Sequence, residues 1–177
     1  EYTLEDGMNV IADAKSVHAI GGIMGGENTG CTEETTNVFL EVALFDPIRT
    51  ATTGRKLGIE SDARYRFERG LDPESVYLGA EVATRLVLAF CGGEASELTV
   101  AGEMPEWARP VSLRPERLKS FGGVDVASDE AVDILTRLGF EPKVENGVIH
   151  GTTPSWRADV ETEYCLVEEV LLSLIHI

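Results

Sequence analysis

The sequence has few of the residues that disulfide frameworks and metal clusters need. Its three cysteines, Cys31, Cys91 and Cys165, lie far apart and form no C-x-x-C pair, and its three histidines share no ligand spacing. This usage predicts reduced thiols and a cytoplasmic location. Ser-His-Asp and H-x-x-x-H patterns are missing too, so the sequence indicates no catalytic nucleophile.

Basic charge and long apolar runs are also scarce. Fifteen Lys and Arg residues stand against 31 Asp and Glu, which gives the 177 residues a net charge of −16. A chain this acidic does not bind nucleic acid through its bulk charge, so any such contact needs a local basic patch. No apolar run approaches the ~18 residues of a membrane span, and the N-terminus does not resemble a signal peptide, so we expect no membrane partner.

What is present predicts an α+β fold: a mainly antiparallel sheet with one long helix, followed by a small α+β domain that is winged-helix-like. The Asp6-Gly7 pair indicates a hairpin. Residues 37–45 are nearly all apolar and indicate a strand buried on both faces. Residues 46–70 are interpreted as a polar connector. Asp72-Pro73 then opens a helix that Gly92-Gly93 ends.

A proline-containing linker around residues 102–110 predicts two domains, 1–105 and 106–171. In the second domain we expect a strand at residues 111–113, helices that begin at Pro115 and Ser128, and a hairpin around Asn146-Gly147. A last helix is predicted from about Asp159, with its apolar side formed by Val160, Leu166, Val167 and Val170.

Two features of the first domain carry alternatives. The glycine cluster at residues 21–30 lacks the lysine of a phosphate-binding loop, so it indicates either a turn with positive φ or close approach of a ligand to bare backbone. Glu41 is the one charge in its apolar run. It either pairs with an arginine such as Arg49 or Arg55, or lines a pocket and accepts a hydrogen bond from a ligand.

Two charged clusters are equally open. Six of the fifteen basic residues lie between positions 46 and 70, where they form either surface ion pairs or phosphate contacts. In the last helix Glu168 and Glu169 fall opposite the apolar side, with Asp159 just before the first turn. These carboxylates form either a solvated acidic face or a site for a hard cation such as Mg²⁺.

Five segments in this order resemble the β subunit of bacterial phenylalanyl-tRNA synthetase. The most specific is Ser-Asp-Ala-Arg-Tyr-Arg-Phe-Glu-Arg-Gly-Leu-Asp-Pro, and the full set comprises residues 21–27, 39–41, 61–73, 154–159 and 167–170. The resemblance implies that residues 1–105 are the C-terminal part of a B3/B4 tRNA-editing domain and that residues 106–171 are a B5 domain. Residues 172–177 depart from the family and are predicted to be a non-native tail.

The resemblance also implies a site that hydrolyses tyrosine wrongly attached to tRNA, with Gly25, Glu41, Ser61 and Ala63 at its pocket positions. It implies an α subunit as partner in an α2β2 heterotetramer, tRNA(Phe) as ligand, and ATP bound only at the α subunit. Arg55, Lys56, Arg64 and Arg66 are predicted to contact the tRNA. The alternative is a non-catalytic scaffold or a tRNA- or subunit-binding module.

A Mg²⁺ site shared with the α subunit is implied at Asp159, Glu168 and Glu169, together with position 165. The residue at that position is Cys165, whose soft sulfur Mg²⁺ does not favour. We therefore expect an incomplete site that binds Mg²⁺ better after Cys165→Asp.

Overall fold

The computed structural model describes residues 1–175 and divides into two compact units, the first ending at Glu103 and the second beginning at Met104. The sequence placed this boundary between residues 105 and 106. Each unit combines helices with one small antiparallel sheet, which confirms the predicted α+β class. None of the helices within residues 1–175 has the length and apolar character needed to cross a membrane.

The first unit has a three-stranded antiparallel sheet in the order β1-β2-β3, followed by three helices. Its buried core is small and consists of Ile20, Ile23 and Ile59. The elements are β1 (Val10–Ala12), β2 (Val17–Ile20), β3 (Met24–Gly25), α1 (Pro47–Leu57), α2 (Asp62–Phe67) and α3 (Ser75–Cys91), with a single 3-10 turn at Glu27–Thr29.

The first hairpin differs from the prediction. Gly7 does form a turn, with φ +86°, but no strand precedes it. Instead β1 pairs with β2 across a turn in which the Asp13 carboxylate accepts hydrogen bonds from the backbone N–H groups of Lys15 and Ser16, at 2.7 and 2.8 Å. This side-chain capping of the backbone selects the later turn.

The predicted strand at residues 37–45 is wrong within the described structure. The segment has no regular secondary structure, and Phe39 is 92% exposed. The N–H and C=O groups of a strand need a neighbouring strand as hydrogen-bond partner, and no strand within residues 1–175 pairs with residues 37–45. The apolar composition of these residues is typical of a strand, but composition does not show whether a partner strand is available.

The polar connector predicted at residues 46–70 is also wrong, because it contains α1 and α2. The Asp46 carboxylate caps α1 by accepting a hydrogen bond from Arg49 N–H at 2.7 Å, and Gly58 ends the helix with φ +64°. Ser61 caps α2 through a 3.1 Å bond from Arg64 N–H. The same Asp-Pro signature that predicted a helix after Asp72 was present at Asp46-Pro47.

The second unit follows the sequence closely. Its sheet has the order β4-β6-β5, and Asn146 and Gly147, with φ +50° and +79°, form the predicted hairpin turn. The winged-helix likeness stays a prediction. The elements are β4 (Pro110–Leu113), α4 (Glu116–Ser120), α5 (Ser128–Arg137), β5 (Lys143–Glu145), β6 (Val148–Thr152) and α6 (Glu163–Ser173).

The core of this unit is much larger than that of the first. Val160, Leu166, Val167 and Val170 are at most 2% exposed, as the predicted apolar side requires, although α6 begins at Glu163 rather than near Asp159. The helix continues to Ser173, into the segment 172–177 expected to be non-native. His176 and Ile177 lie outside the described residues, and the origin of this segment stays a prediction.

We expect Leu166→Ala to lower the free energy of unfolding of the second unit by about 2–5 kcal/mol, because the substitution leaves a cavity in a closed core. Leu172→Ala on the same helix is the matched control. Leu172 is 54% exposed, so its loss is expected to change stability by less than about 0.5 kcal/mol.

Urea unfolding followed by tryptophan fluorescence measures both variants. The two tryptophans, Trp107 and Trp156, both lie in the second unit, so the signal reports that unit alone. Equal losses of stability in the two variants would contradict the packing described here.

Candidate functional site

The first unit contains an open cavity of about 650 Å³, bounded by the sheet, by residues 41–45 and by α2 and α3. Three of the four predicted pocket residues, Gly25, Glu41 and Ala63, lie on its wall. Phe45 and Phe67 form an apolar part of the wall, with ring centroids 5.2 Å apart in an edge-to-face arrangement. The cavity therefore combines apolar surface with one carboxylate.

The glycine cluster contains the predicted turn with positive φ, and close approach of a ligand to its backbone stays a prediction. Gly22 has φ +69° and forms the turn between β2 and β3, where a side chain would be strained. Gly25 lies in extended backbone, and a Cβ atom built there would meet nothing within 4 Å. Gly25 therefore presents bare backbone to open space on the cavity wall, as close approach of a ligand requires.

Glu41 has no hydrogen bond or ion pair with any residue in the range 1–175, so the pairing with Arg49 or Arg55 is not formed there. Much of the residue is solvent-accessible, yet partial desolvation raises the pKa of its carboxyl group above the ordinary value of 4.5. An unpaired carboxylate on an apolar wall retains its full capacity to accept hydrogen bonds from a ligand.

Ser61 is not on the cavity wall. Its hydroxyl donates a 2.6 Å hydrogen bond to the carbonyl oxygen of Ile23 and accepts the bond from Arg64 N–H that caps α2. Ser61 thereby ties the start of α2 to Ile23, the residue before β3. Ser61 therefore helps to position Ala63 on the cavity wall and does not itself line the cavity.

The predicted tRNA-contact residues fall into two groups. Arg64 is largely buried, donates to Glu68 at 3.0 Å and to the Ile59 carbonyl oxygen at 2.7 Å, and covers Gly54. Lys56 pairs with Glu5. Arg55 donates to a carbonyl of its own helix and is otherwise exposed, and Arg66 has no ion pair within residues 1–175. Arg55 and Arg66 are therefore the ones available to a phosphate.

The predicted metal ligands are engaged by an arginine. The Arg157 guanidinium donates two hydrogen bonds to the Asp159 carboxylate, at 2.8 and 2.7 Å, and a third to Glu169 Oε1 at 2.6 Å. Glu168 is exposed on α6, and Cys165 Sγ lies 3.3 Å from the Thr162 hydroxyl. Within residues 1–175 no three acidic, cysteine or histidine side chains converge as a metal site. In this arrangement the residues do not fit Mg²⁺.

Arg157 is the residue that sequence reasoning missed. The sequence predicts no role for it, although it stands two residues before Asp159 in Arg-Ala-Asp. That spacing was the available signal, since a basic and an acidic residue separated by one position in a turn are close enough to pair. Only the tertiary structure shows that Glu169 joins them.

Two family models match the chain. Residues 1–92 match the B3/4 domain, and residues 111–173 match the tRNA synthetase B5 domain. Among its relatives are proteins named phenylalanine–tRNA ligase beta subunit from Paramagnetospirillum magneticum and Rhodospirillum rubrum, each 54% identical over 96% of the chain, and from Brucella abortus, 52% identical over 97%. The chain spans about a fifth of the length of these relatives, 21% in each case.

The two adjacent glycines give a matched test of the local structure. A Cβ at position 26 would overlap the backbone carbonyl oxygen of His18, which also accepts the Gly26 N–H bond, whereas a Cβ at position 25 meets nothing. We expect Gly26→Ala to destabilise the first unit by about 1–3 kcal/mol and Gly25→Ala to leave it unchanged.

Amide hydrogen exchange of residues 10–25 measures the effect in each variant, because opening of the small sheet exposes these amides. Loss of protection in Gly25→Ala equal to that in Gly26→Ala would show that position 25 is packed and not open to a ligand.

Proposed function

The chain belongs to the phenylalanine–tRNA ligase β-subunit family as a B3/4–B5 segment, and from that premise we propose that its first unit forms part of a site that hydrolyses tyrosine misattached to tRNA. The single observation that carries the proposal is Glu41, an unpaired carboxylate on the wall of the apolar cavity. The same proposal covers the longer protein of which this chain is a segment. It includes the ligase activity of that protein, its α-subunit partner, its tRNA(Phe) substrate and the binding of ATP at the α subunit.

The chemistry of discrimination supports an acceptor at this place. A pocket for phenylalanine cannot strongly reject tyrosine, because the two amino acids differ by one hydroxyl group. A second site can use that difference in the opposite direction. Glu41 accepts a hydrogen bond from the phenol of tyrosine, whereas the ring of phenylalanine leaves the carboxylate without a partner.

The rest of the wall suits an aromatic amino acid attached to tRNA. Phe45 and Phe67 offer apolar surface for the ring, and the bare backbone at Gly25 allows the substrate to come close. In this proposal the lining residues bind and orient the ester, and water is the attacking group of the hydrolysis. We assign no catalytic side chain.

Contacts with tRNA are proposed at Arg55 and Arg66 in the basic segment 46–70. Arg64 is largely buried and paired with Glu68, and Lys56 forms an exposed ion pair with Glu5, so neither side chain is as free as those of Arg55 and Arg66. The acidic character of the whole chain makes a local set of exposed arginines necessary for any phosphate contact.

A second function, as a scaffold that binds another subunit, is favoured by one observation. One helix, α3, carries large apolar side chains in solvent, among them Leu78 at 63%, Leu86 at 49% and Phe90 at 82% exposure. Apolar surface of this kind marks contact with protein. The two functions are compatible, because Leu86 and Phe90 lie outside the cavity wall, although Leu78 belongs to it.

We expect Glu41→Ala in the full-length subunit, assembled with its partner, to slow hydrolysis of tyrosyl-tRNA by about 10- to 100-fold, the effect of losing a hydrogen bond to a charged group. Charging of phenylalanine is expected to stay unchanged. Glu33→Ala, in an exposed loop of the same unit, is the control that removes the same charge and leaves the cavity intact.

The rate of tyrosyl-tRNA hydrolysis is expected to depend on pH through Glu41. The ionised carboxylate accepts the phenol hydrogen bond more strongly than the neutral acid does. Because the pKa of Glu41 is raised, hydrolysis should fall with decreasing pH at a value above that of an ordinary glutamate. If Glu41→Ala hydrolyses tyrosyl-tRNA at an unchanged rate, Glu41 is not part of the site.

We expect Arg66→Glu to weaken tRNA binding and to reduce the slope of log affinity against log salt by about one or more, because a phosphate contact is lost. Arg85→Glu on α3, outside the basic segment, is the charge-matched control. If the slope of log affinity against log salt is the same in the two variants, Arg66 does not contact a phosphate.

A further inference from the structure

We propose that Arg157 takes the place of a divalent cation in the second unit, so that its guanidinium, and no metal ion, bridges Asp159 and Glu169. Asp159, which precedes α6, and Glu169, in the middle of α6, are then a pair held together by one arginine. Binding of a cation at these carboxylates and their pairing with Arg157 exclude each other.

The geometry of the three groups is that of a strong charge-assisted arrangement. Asp159 receives a two-pronged contact from Nε and one terminal nitrogen of Arg157, and the same terminal nitrogen reaches Glu169. Arg157 and Glu169 have only 20% and 17% of their side chains exposed, so solvent screens their contact weakly. The planar guanidinium suits two carboxylates at once, as a lysine ammonium does not.

The backbone fixes the position of Arg157. On one side Thr153, Pro154 and Ser155 are buried, and on the other Val160 is fully buried. Arg157 N–H donates to the Pro154 carbonyl oxygen at 3.0 Å within this loop. These buried neighbours and this hydrogen bond fix the backbone at Arg157, which limits the positions that its guanidinium can reach.

A divalent cation has too few oxygen ligands left. Both Asp159 oxygens and one Glu169 oxygen already accept hydrogen bonds from Arg157, and Glu168 is exposed and takes no part in this set of hydrogen bonds. Cys165 offers sulfur, which suits neither Mg²⁺ nor Mn²⁺ as well as oxygen does. A cation beside the guanidinium would also be repelled by its charge.

The test titrates the full 177-residue chain with Mn²⁺, a hard cation whose free concentration is read by electron paramagnetic resonance. Arg157→Met frees both carboxylates and is expected to tighten Mn²⁺ binding by about tenfold or more, since affinity follows the number of available anionic ligands. Arg137→Met removes the same charge from an exposed pair with Asp133 in the same unit, and it should bind as weakly as the unsubstituted chain.

The proposal is overturned if the unsubstituted chain binds Mn²⁺ as tightly as Arg157→Met, or if both methionine variants tighten binding equally. Should Arg157→Met not fold, the unsubstituted chain decides the question by nuclear magnetic resonance of the arginine Nε–H groups. We expect the Arg157 Nε–H signal to stay in place as Mg²⁺ is added, and a saturable shift of that signal would show that the cation displaces the arginine.

Discussion

Burial of one face of α6 sets the position of the charged groups on the second unit. Leu166, Val167 and Val170 fill the core between the sheet and the other helices, so rotation of α6 is not free. Glu163 in the first turn consequently faces Arg114, with a 2.6 Å contact that lowers the pKa of its carboxyl group to about 2. The stability from this pair is present above the ordinary pKa of 4.5 and is lost as the pH falls towards 2.

The first unit is held differently. Its core has three isoleucines, and the placement of the cavity wall depends instead on backbone constraints: the turn at Gly22, the contact of Gly26 with His18, and the hydroxyl of Ser61 between α2 and Ile23. Ile20 and Ile23 belong both to this core and to the cavity wall, but other side chains on the wall lie outside the core and can differ in chemistry without disturbing it. Glu41 is one such side chain, since its carboxylate supports no other group within residues 1–175.

Local signals in the sequence predicted local structure well. Asn146-Gly147 and Gly92 have the backbone conformations that glycine and asparagine allow, and the periodicity of α6 predicted its buried residues. Two predictions of secondary structure were wrong. Residues 37–45 have the composition of a strand, but a strand also needs a partner, which composition does not reveal. Residues 46–70 were interpreted as a connector because they are highly charged, although Asp46 and Ser61 are helix-capping residues. For the site, Gly25, Glu41 and Ala63 were placed on one wall, whereas the roles of Ser61 and Arg157 depend on contacts that spacing does not reveal.

Residues 37–45 have a consequence for the solubility of the chain. The segment is apolar and rich in residues that favour strands, and its backbone forms no hydrogen bond within residues 1–175. Such a segment is a template for edge-to-edge pairing between copies of the chain. Glu41 is its one charged residue and therefore acts as a gatekeeper against self-association. Because partial desolvation raises the pKa of Glu41, its carboxyl group becomes protonated at a higher pH than that of an ordinary glutamate, and the segment then carries no charge.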